Sequence, residues 1–172
     1  TFDYTASGRQ NKITASDGVS GGYFGYSVAI SGDTVVIGNV AGGGFGGGGG
    51  FGGGGGFGGS NTQGSAYVFV LSNNSWVLQQ KLTATDGASF DGFGYSVSIS
   101  GDTIAVGAKH LASNNISQGS AYVFVRSSNT WTQQQKLTAS DGASNDYFGS
   151  SVSISIDTIV VGAYYDDNGS NT

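Results

Sequence analysis

The chain contains no cysteine, proline, methionine or glutamate, and these absences narrow its class. Without cysteine it has no disulfide, no thiolate metal site and no cysteine nucleophile. Without glutamate and methionine, and with only six basic residues, it is poor in strong helix formers, which argues against a helical bundle. Its 33 glycines do not recur at every third position, which excludes collagen. We therefore expect an all-β chain.

Charge is also scarce. Charged residues make up 10% of the chain, and the formal net charge is −5 at pH 7. Six scattered basic residues give no electrostatic footprint for nucleic acid or an anionic membrane, and no apolar run approaches the roughly 20 residues that span a bilayer. His110 is the single histidine, and no spacing suggests a catalytic carboxylate pair. We expect no nucleic-acid partner, no membrane insertion and no enzymatic activity.

The sequence repeats itself. Residues 81–89, KLTATDGAS, return as residues 136–144, KLTASDGAS, and an earlier copy at residues 12–18 reads KITASDG. The period is about 55 residues, and the first unit is lengthened by an insertion within a glycine tract.

Each unit contains the pattern of two hairpins. In the second unit, residues 95–100 alternate apolar and polar side chains, and residues 103–106 follow after a Gly-Asp turn. Residues 121–125 and 131–137 form a second such pair around Ser-Ser-Asn. Four short antiparallel strands per unit is the size of a β-propeller blade.

A Phe-Gly pair precedes a Gly-Ala pair by about fourteen residues, at 93–94 with 107–108 and at 148–149 with 162–163; the first unit has 24–25 with Gly-Asn at 38–39. With three copies, the chain resembles the FG-GAP repeat of integrin-α-like β-propellers, in particular the microbial branch that carries Leu-Thr-Ala-Ser-Asp-Gly before the Phe-Gly. The resemblance implies an all-β fold of propeller-type blades, each of four antiparallel strands, about three per chain.

The chain departs from the family pattern at two places. The proline of Gly-Ala-Pro is missing in every unit, and Ile156 stands where the other units carry Gly32 and Gly101. A β-branched residue is strained at positive φ, so we expect the third hairpin to turn differently.

We divide the single repeat domain, residues 1–172, at the repeats. Residues 1–13 are an N-terminal hairpin, 14–80 the first repeat with its Gly/Phe insertion at 42–59, 81–135 the second repeat and 136–172 a partial third. Three blades are too few to close a propeller, and the third repeat lacks the second hairpin that residues 1–13 resemble. Either the chain is a fragment of a larger propeller, or the hairpin of one copy, with Phe2 and Tyr4, completes the last blade of another in a ring or filament.

The glycine tract carries Phe45, Phe51 and Phe57 at intervals of six residues. One interpretation is a flexible, functionally silent loop. The other is an ordered ribbon, since an extended or polyproline-II backbone places all three rings on one edge, where they would contact a neighbouring blade or subunit.

The sequence contains candidates for a calcium site and for N-glycosylation. Some repeats of the integrin type bind calcium, and the best match here is Asp166, Asp167 and Asn168, although the order of ligands in a calcium loop is incomplete. The alternative is that the recurring aspartates cap turns through nearby backbone N–H groups. Asn73, Asn115 and Asn168 each fit the acceptor pattern for N-glycosylation.

These features predict a non-enzymatic extracellular structural or adhesive protein that assembles with copies of itself, head to tail, by strand complementation. The alternative is a fragment of a calcium-assisted propeller that binds protein or glycan ligands. Its candidate contacts are the loop tyrosines Tyr23, Tyr147, Tyr164 and Tyr165.

Overall fold

The computed structural model describes residues 2–4, 10–17, 22–40, 63–110 and 118–166, and all regular secondary structure in these ranges is β-strand. The strands are β1 (Phe2–Tyr4), β2 (Gln10–Lys12), β3 (Tyr23–Ser31), β4 (Thr34–Val40), β5 (Ser65–Ser72), β6 (Ser75–Leu82), β7 (Phe93–Ser100), β8 (Thr103–Ala108), β9 (Ser120–Ser127), β10 (Thr130–Leu137), β11 (Phe148–Ser155) and β12 (Thr158–Ala163). No described segment forms a helix long and apolar enough to cross a membrane.

The strands form two complete blades and two half-blades. The first blade has the order β3-β4-β5-β6 and the second β7-β8-β9-β10, with every neighbouring pair antiparallel. The pairs β1-β2 and β11-β12 each form a two-stranded antiparallel sheet. The predicted all-β fold of four-stranded repeats that do not close into a propeller is therefore confirmed.

Each Phe-Gly pair lies at a break in strand register near the start of the unit's first strand. In the second blade the pairing steps from Phe93 to Ser96, and Gly94 lies within the step at φ 90°. Gly25 and Gly149 lie in the same step in the other units, at φ 89°. A residue without a Cβ suits this left-handed backbone, which explains the glycine of the motif.

The hairpin turn of the third unit corrects one prediction. Gly32 lies in the β3–β4 turn at φ 55° and Gly101 in the β7–β8 turn at φ 56°. Ile156 lies in the equivalent β11–β12 turn, at φ 56°. The expectation of a different turn is therefore wrong. The pairing of Ser155 with Thr158 leaves a two-residue turn, so Ile156 takes the backbone conformation of glycine in spite of its branched Cβ.

The core lies between the blades as well as within them. The larger cluster of buried side chains joins Val36 and Val68 of the first blade to Val97 and Ile99 of the second. A smaller cluster in the first blade includes Ile13, which lies just after β2. Stacked sheets that share a core are the arrangement of neighbouring propeller blades.

Several predicted features lie outside the described residues. They include the insertion 42–59 with Phe45, Phe51 and Phe57, and also Asn115, Asp167 and Asn168. Phe2 and Tyr4 are described only by the backbone of β1. The exact division into residues 1–13, 14–80, 81–135 and 136–172 stays a prediction.

Candidate functional site

The glycines of the repeated motifs meet at the joints between units. A Cβ placed on Gly38 would overlap the carbonyl oxygen of Gly94, and one placed on Gly107 would overlap that of Gly149. The Phe-Gly glycine of one unit therefore packs against the Gly-Ala or Gly-Asn glycine of the unit before it. This close approach requires glycine on the β4 and β8 side of each joint.

Polar contacts fix the same joints. The Ser27 hydroxyl donates to the Gly94 carbonyl oxygen at 2.8 Å, and the Ser96 hydroxyl donates to that of Gly149 at 2.9 Å. The backbone N–H of Phe93 donates to the Gln63 carbonyl oxygen at 2.7 Å, and Phe148 repeats this bond to Gln118 at 2.7 Å. Two consecutive joints thus use the same geometry.

The two outer faces of the array carry the same glycine and apolar positions as the joints, and no other described unit packs on them. Val97 and Ile99, which pack on the first blade, are only 9% and 8% exposed. Val28 and Ile30, at the equivalent positions of β3, are 56% and 63% exposed. We call the surface formed by Gly25, Val28 and Ile30 the leading face.

The opposite end shows the complementary half of the joint. Val160 is 63% exposed, whereas Val36 and Ala105, at the equivalent positions, are fully buried. Among the described residues, a Cβ placed on Gly162 would overlap only the Ser151 hydroxyl, and its nearest neighbours are the side chains of Ser150 and Ser151. We call the surface formed by Ser151, Val160 and Gly162 the trailing face.

An aspartate–lysine contact recurs in the two complete blades. Lys81 Nζ lies 2.6 Å from Asp17 Oδ2, and the Tyr67 hydroxyl donates to Asp17 Oδ1 at 2.7 Å. Lys136 Nζ lies 2.7 Å from Asp86 Oδ2. These lysine hydrogen bonds are the main reason why the pKa values of Asp17 and Asp86 lie below their ordinary value.

The third unit has the aspartate of this contact but not its lysine. Asp141 occupies the sequence position of Asp17 and Asp86, and in the described ranges no cation lies within 4.0 Å of it. Lys12 pairs with Phe2 in β1-β2, just as Lys81 pairs with Tyr67 and Lys136 with Tyr122. Lys12 therefore has the register of the missing lysine.

Tyrosines form a second candidate site, between the second and third units. The Lys109 ammonium lies 4.6 to 4.9 Å from the ring centres of Tyr95, Tyr147 and Tyr164, and Tyr165 packs on Tyr164 at 4.8 Å between centroids. The ammonium donates to the Tyr164 hydroxyl at 2.8 Å and to the Tyr95 hydroxyl at 3.2 Å. An ammonium over aromatic faces is a cation–π arrangement.

The pKa values in this cluster follow its contacts. Burial alone would lower the pKa of Lys109, but the hydrogen bonds to the Tyr164 and Tyr95 hydroxyls outweigh it and raise the pKa. Burial raises the pKa of Tyr26, which packs on Tyr95, to about 12. The sequence indicated Tyr147, Tyr164 and Tyr165 but missed Lys109, because no local pattern connects a loop lysine to tyrosines some 14 to 55 positions away.

The proposed calcium ligands Asp166, Asp167 and Asn168 stay a prediction, because only Asp166 lies within the described residues. In the described part of the chain no group of three histidine, cysteine or acidic residues could hold a metal ion. The Asp91 and Asp146 carboxylates accept backbone N–H groups three residues earlier, at 2.7 and 2.6 Å, so the turn-capping interpretation is confirmed for both. Asn73 lies in the exposed β5–β6 turn, and its glycosylation stays a prediction.

Comparison with known proteins agrees with the geometry of the joints. A model of the FG-GAP repeat matches residues 8–69, 76–124 and 131–172, which together cover most of the chain. No curated protein matches it. The three matched segments contain the Phe-Gly and Gly-Ala or Gly-Asn pairs that meet at the joints. The chain belongs to the FG-GAP repeat family.

Proposed function

We propose that this chain is a non-enzymatic extracellular structural or adhesive protein that assembles with copies of itself, head to tail, by strand complementation. The observation that carries the proposal is the pair of half-blades, β1-β2 and β11-β12. A two-stranded sheet leaves strand edges unpaired, and edges of this kind pair with another chain unless they are covered. Repeats of this family typically occur in extracellular proteins, which supports the location.

The two half-blades correspond to different strands of a blade. The β11-β12 pair carries the Phe-Gly and Gly-Ala pairs, which belong to the first two strands of a blade. Lys12 in β2 has the register of Lys81 and Lys136 in the fourth strands. The β1-β2 hairpin of one copy would therefore add the third and fourth strands to the β11-β12 sheet of another, and Lys12 would reach Asp141.

The burial of the residue after β2 supports such an exchange. Ile13 is buried in the first blade beside Val35 and Ile37, and Leu82, the last residue of β6, is buried in the core shared with the second blade. The hairpin would thus enter the blade of another copy while the residues that follow it stay seated on their own first blade. The outcome is a filament or a closed ring, depending on the rotation at each junction.

Charge reversal at the proposed contact between Lys12 of one copy and Asp141 of another tests the proposal with the full chain. The variants D141K and K12D each bring like charges together, so each alone should assemble about three- to tenfold more weakly. In an equal mixture every junction between the two variants pairs opposite charges, and assembly should return. Mass photometry reads the distribution of species. Single variants that assemble as well as the unchanged chain, or a mixture no better than either one, would contradict strand complementation.

The aromatic residues predicted for assembly have a place in this proposal. Phe2 and Tyr4 lie in β1, which would enter the blade of another copy. Phe45, Phe51 and Phe57 would add contacts from the glycine tract, so the variant F45S/F51S/F57S should assemble more weakly by the same mass measurement. Equal assembly of that variant would remove the tract from the mechanism.

A second candidate function is a calcium-assisted binding module that takes a protein or glycan ligand as part of a larger propeller. The observation that favours it is the exposed pair Tyr164 and Tyr165, since tyrosine presents an apolar ring and a hydroxyl together. A glycan array with and without calcium tests it. Calcium-dependent binding that is lost in Y164S/Y165S supports this candidate, and binding to no glycan under either condition counts against the glycan form.

A further inference from the structure

We infer that the leading face of one copy docks on the trailing face of a second copy, with Gly25 seated against Gly162. This inference rests on the proposed head-to-tail assembly and names the surface on which it occurs. Its basis is that the joint is present twice within the chain and that its two halves remain at the two outer faces.

The joint has three parts that recur together. A carbonyl oxygen at the Phe-Gly glycine lies against a second glycine, a serine hydroxyl donates to that oxygen, and apolar side chains close the gap beside it. The leading face supplies the Gly25 carbonyl oxygen, Val28 and Ile30. The trailing face supplies Gly162, Val160 and Ser151, which is the equivalent of the donors Ser27 and Ser96.

The contacts at the junction follow from this equivalence. The Ser151 hydroxyl would donate to the Gly25 carbonyl oxygen of a second copy, and Val28 and Ile30 of that copy would cover Val160. Burial of these exposed apolar side chains supplies the driving force.

The exposed tyrosines also find partners at this junction. Tyr164 occupies the position of Lys109, and Tyr23 occupies that of Tyr147, which lies 4.7 Å from the Lys109 ammonium. Tyr23 of the second copy would therefore lie beside Tyr164. Both side chains are about half exposed in the single chain.

The occupant is a second copy because each face carries only one half of the joint. Two leading faces would bring together two carbonyl oxygens with no serine donor between them, and two trailing faces would bring together donors with no acceptor. Only the unlike faces complement each other, so the contact is heterologous and has a direction. The blade-to-blade interface of the chain would continue unchanged across the junction.

The variant G162A tests this joint in the full chain. In G162A the new methyl group occupies the place of the Gly25 carbonyl oxygen, so assembly should weaken at least about tenfold. Its thermal midpoint should be unchanged under monomeric conditions, because among the described residues the methyl group overlaps only the exposed Ser151 hydroxyl, which can turn aside. G162A with the same thermal midpoint and unchanged assembly overturns the joint.

Thiol labelling locates the contact, because the chain has no cysteine of its own. The variant I30C should react at least about tenfold more slowly in the assembled state, whereas the control N129C, in an exposed turn of the second blade, should react at the same rate in both states. Assembly with no protection of I30C overturns the docking but leaves strand complementation standing. If the unchanged chain does not assemble at all, the proposed function fails first, and the inference fails with it.

Discussion

The Ser27 hydroxyl donates a 2.8 Å hydrogen bond to the carbonyl oxygen of Gly94, across the joint between the first and second blades. The same bond joins Ser96 to Gly149 one unit later, at 2.9 Å. The glycine of the Phe-Gly pair is thus held by the preceding unit. Two of the motifs that identify the repeat therefore form the blade-to-blade joint.

The first prediction concerns the close approach at this joint. In G107A the new methyl group overlaps the Gly149 carbonyl oxygen, which is backbone and cannot turn aside. We expect the free energy of unfolding to fall by about 1 to 3 kcal/mol. Urea denaturation at low protein concentration measures this change. The matched control is G162A, which should unfold like the unchanged chain, and equal losses in the two variants would contradict the role given to Gly107.

The second prediction concerns the strained turn of the third unit. Ile156 lies at φ 56° and its side chain is 84% exposed, so I156G removes backbone strain and loses almost no burial. We expect a gain of about 1 to 2 kcal/mol in the free energy of unfolding. The converse variant, G101I, should lose a similar amount at φ 56°. A less stable I156G in chemical denaturation would show that the turn carries no such strain.

The third prediction concerns acid stability. Lysine hydrogen bonds lower the pKa values of Asp17 and Asp86 below their ordinary value of 3.8, so the unfolded chain takes up protons first as the pH falls. Their stabilisation is present above about pH 4 and is lost as the pH falls through the lowered pKa values. Because these pairs are half exposed, each contributes less than about 1 kcal/mol.

The variant D17N/D86N measures this contribution. Between pH 6 and pH 2, its free energy of unfolding should fall less steeply than that of the unchanged chain, by urea denaturation at each pH. The control D33N changes an exposed turn aspartate that forms no ion pair with the described residues. The same pH dependence in D17N/D86N and in the unchanged chain would rule out the lysine contacts as the cause.

The fourth prediction concerns the tyrosine cluster. Burial raises the pKa of Tyr95, but hydrogen bonds from Tyr26 and Lys109 outweigh burial and hold it below the ordinary value of 10.0. In K109M one of these hydrogen bonds and the positive charge are lost, so the pKa of Tyr95 should rise. An NMR titration with labelled tyrosine rings follows it. The control K136M removes a lysine over Tyr122 instead and should leave the pKa of Tyr95 unchanged. A fall of the Tyr95 pKa in K109M would contradict the role given to Lys109.

The sequence predicts the fold well where the signal is local. Alternation at residues 95–100 and the Gly-Asp turn after them are enough to place β7 and β8, because a two-residue turn fixes the register of its hairpin. Ile156 shows the limit of local reasoning. Its side chain disfavours the turn, but the pairing of β11 with β12 outweighs that preference.

The candidate sites depend on contacts between residues far apart in the sequence, which the sequence does not reveal. The Lys81 and Lys136 ammonium groups donate to Asp17 and Asp86 from 64 and 50 positions away, because the strand pairings β5-β6 and β9-β10 bring these lysines to them. Lys109 meets Tyr164 through the stacking of the second and third units. Sequence periodicity gives the repeated positions, and only the packing of blades shows which of them touch.

The mass of the unchanged chain across a range of concentrations tests the central claim most directly. Sedimentation velocity should show species that grow with concentration in steps of the 17.3 kDa chain, as successive copies complete one another's blades. A single 17.3 kDa species at every concentration up to about 1 mM would contradict head-to-tail assembly.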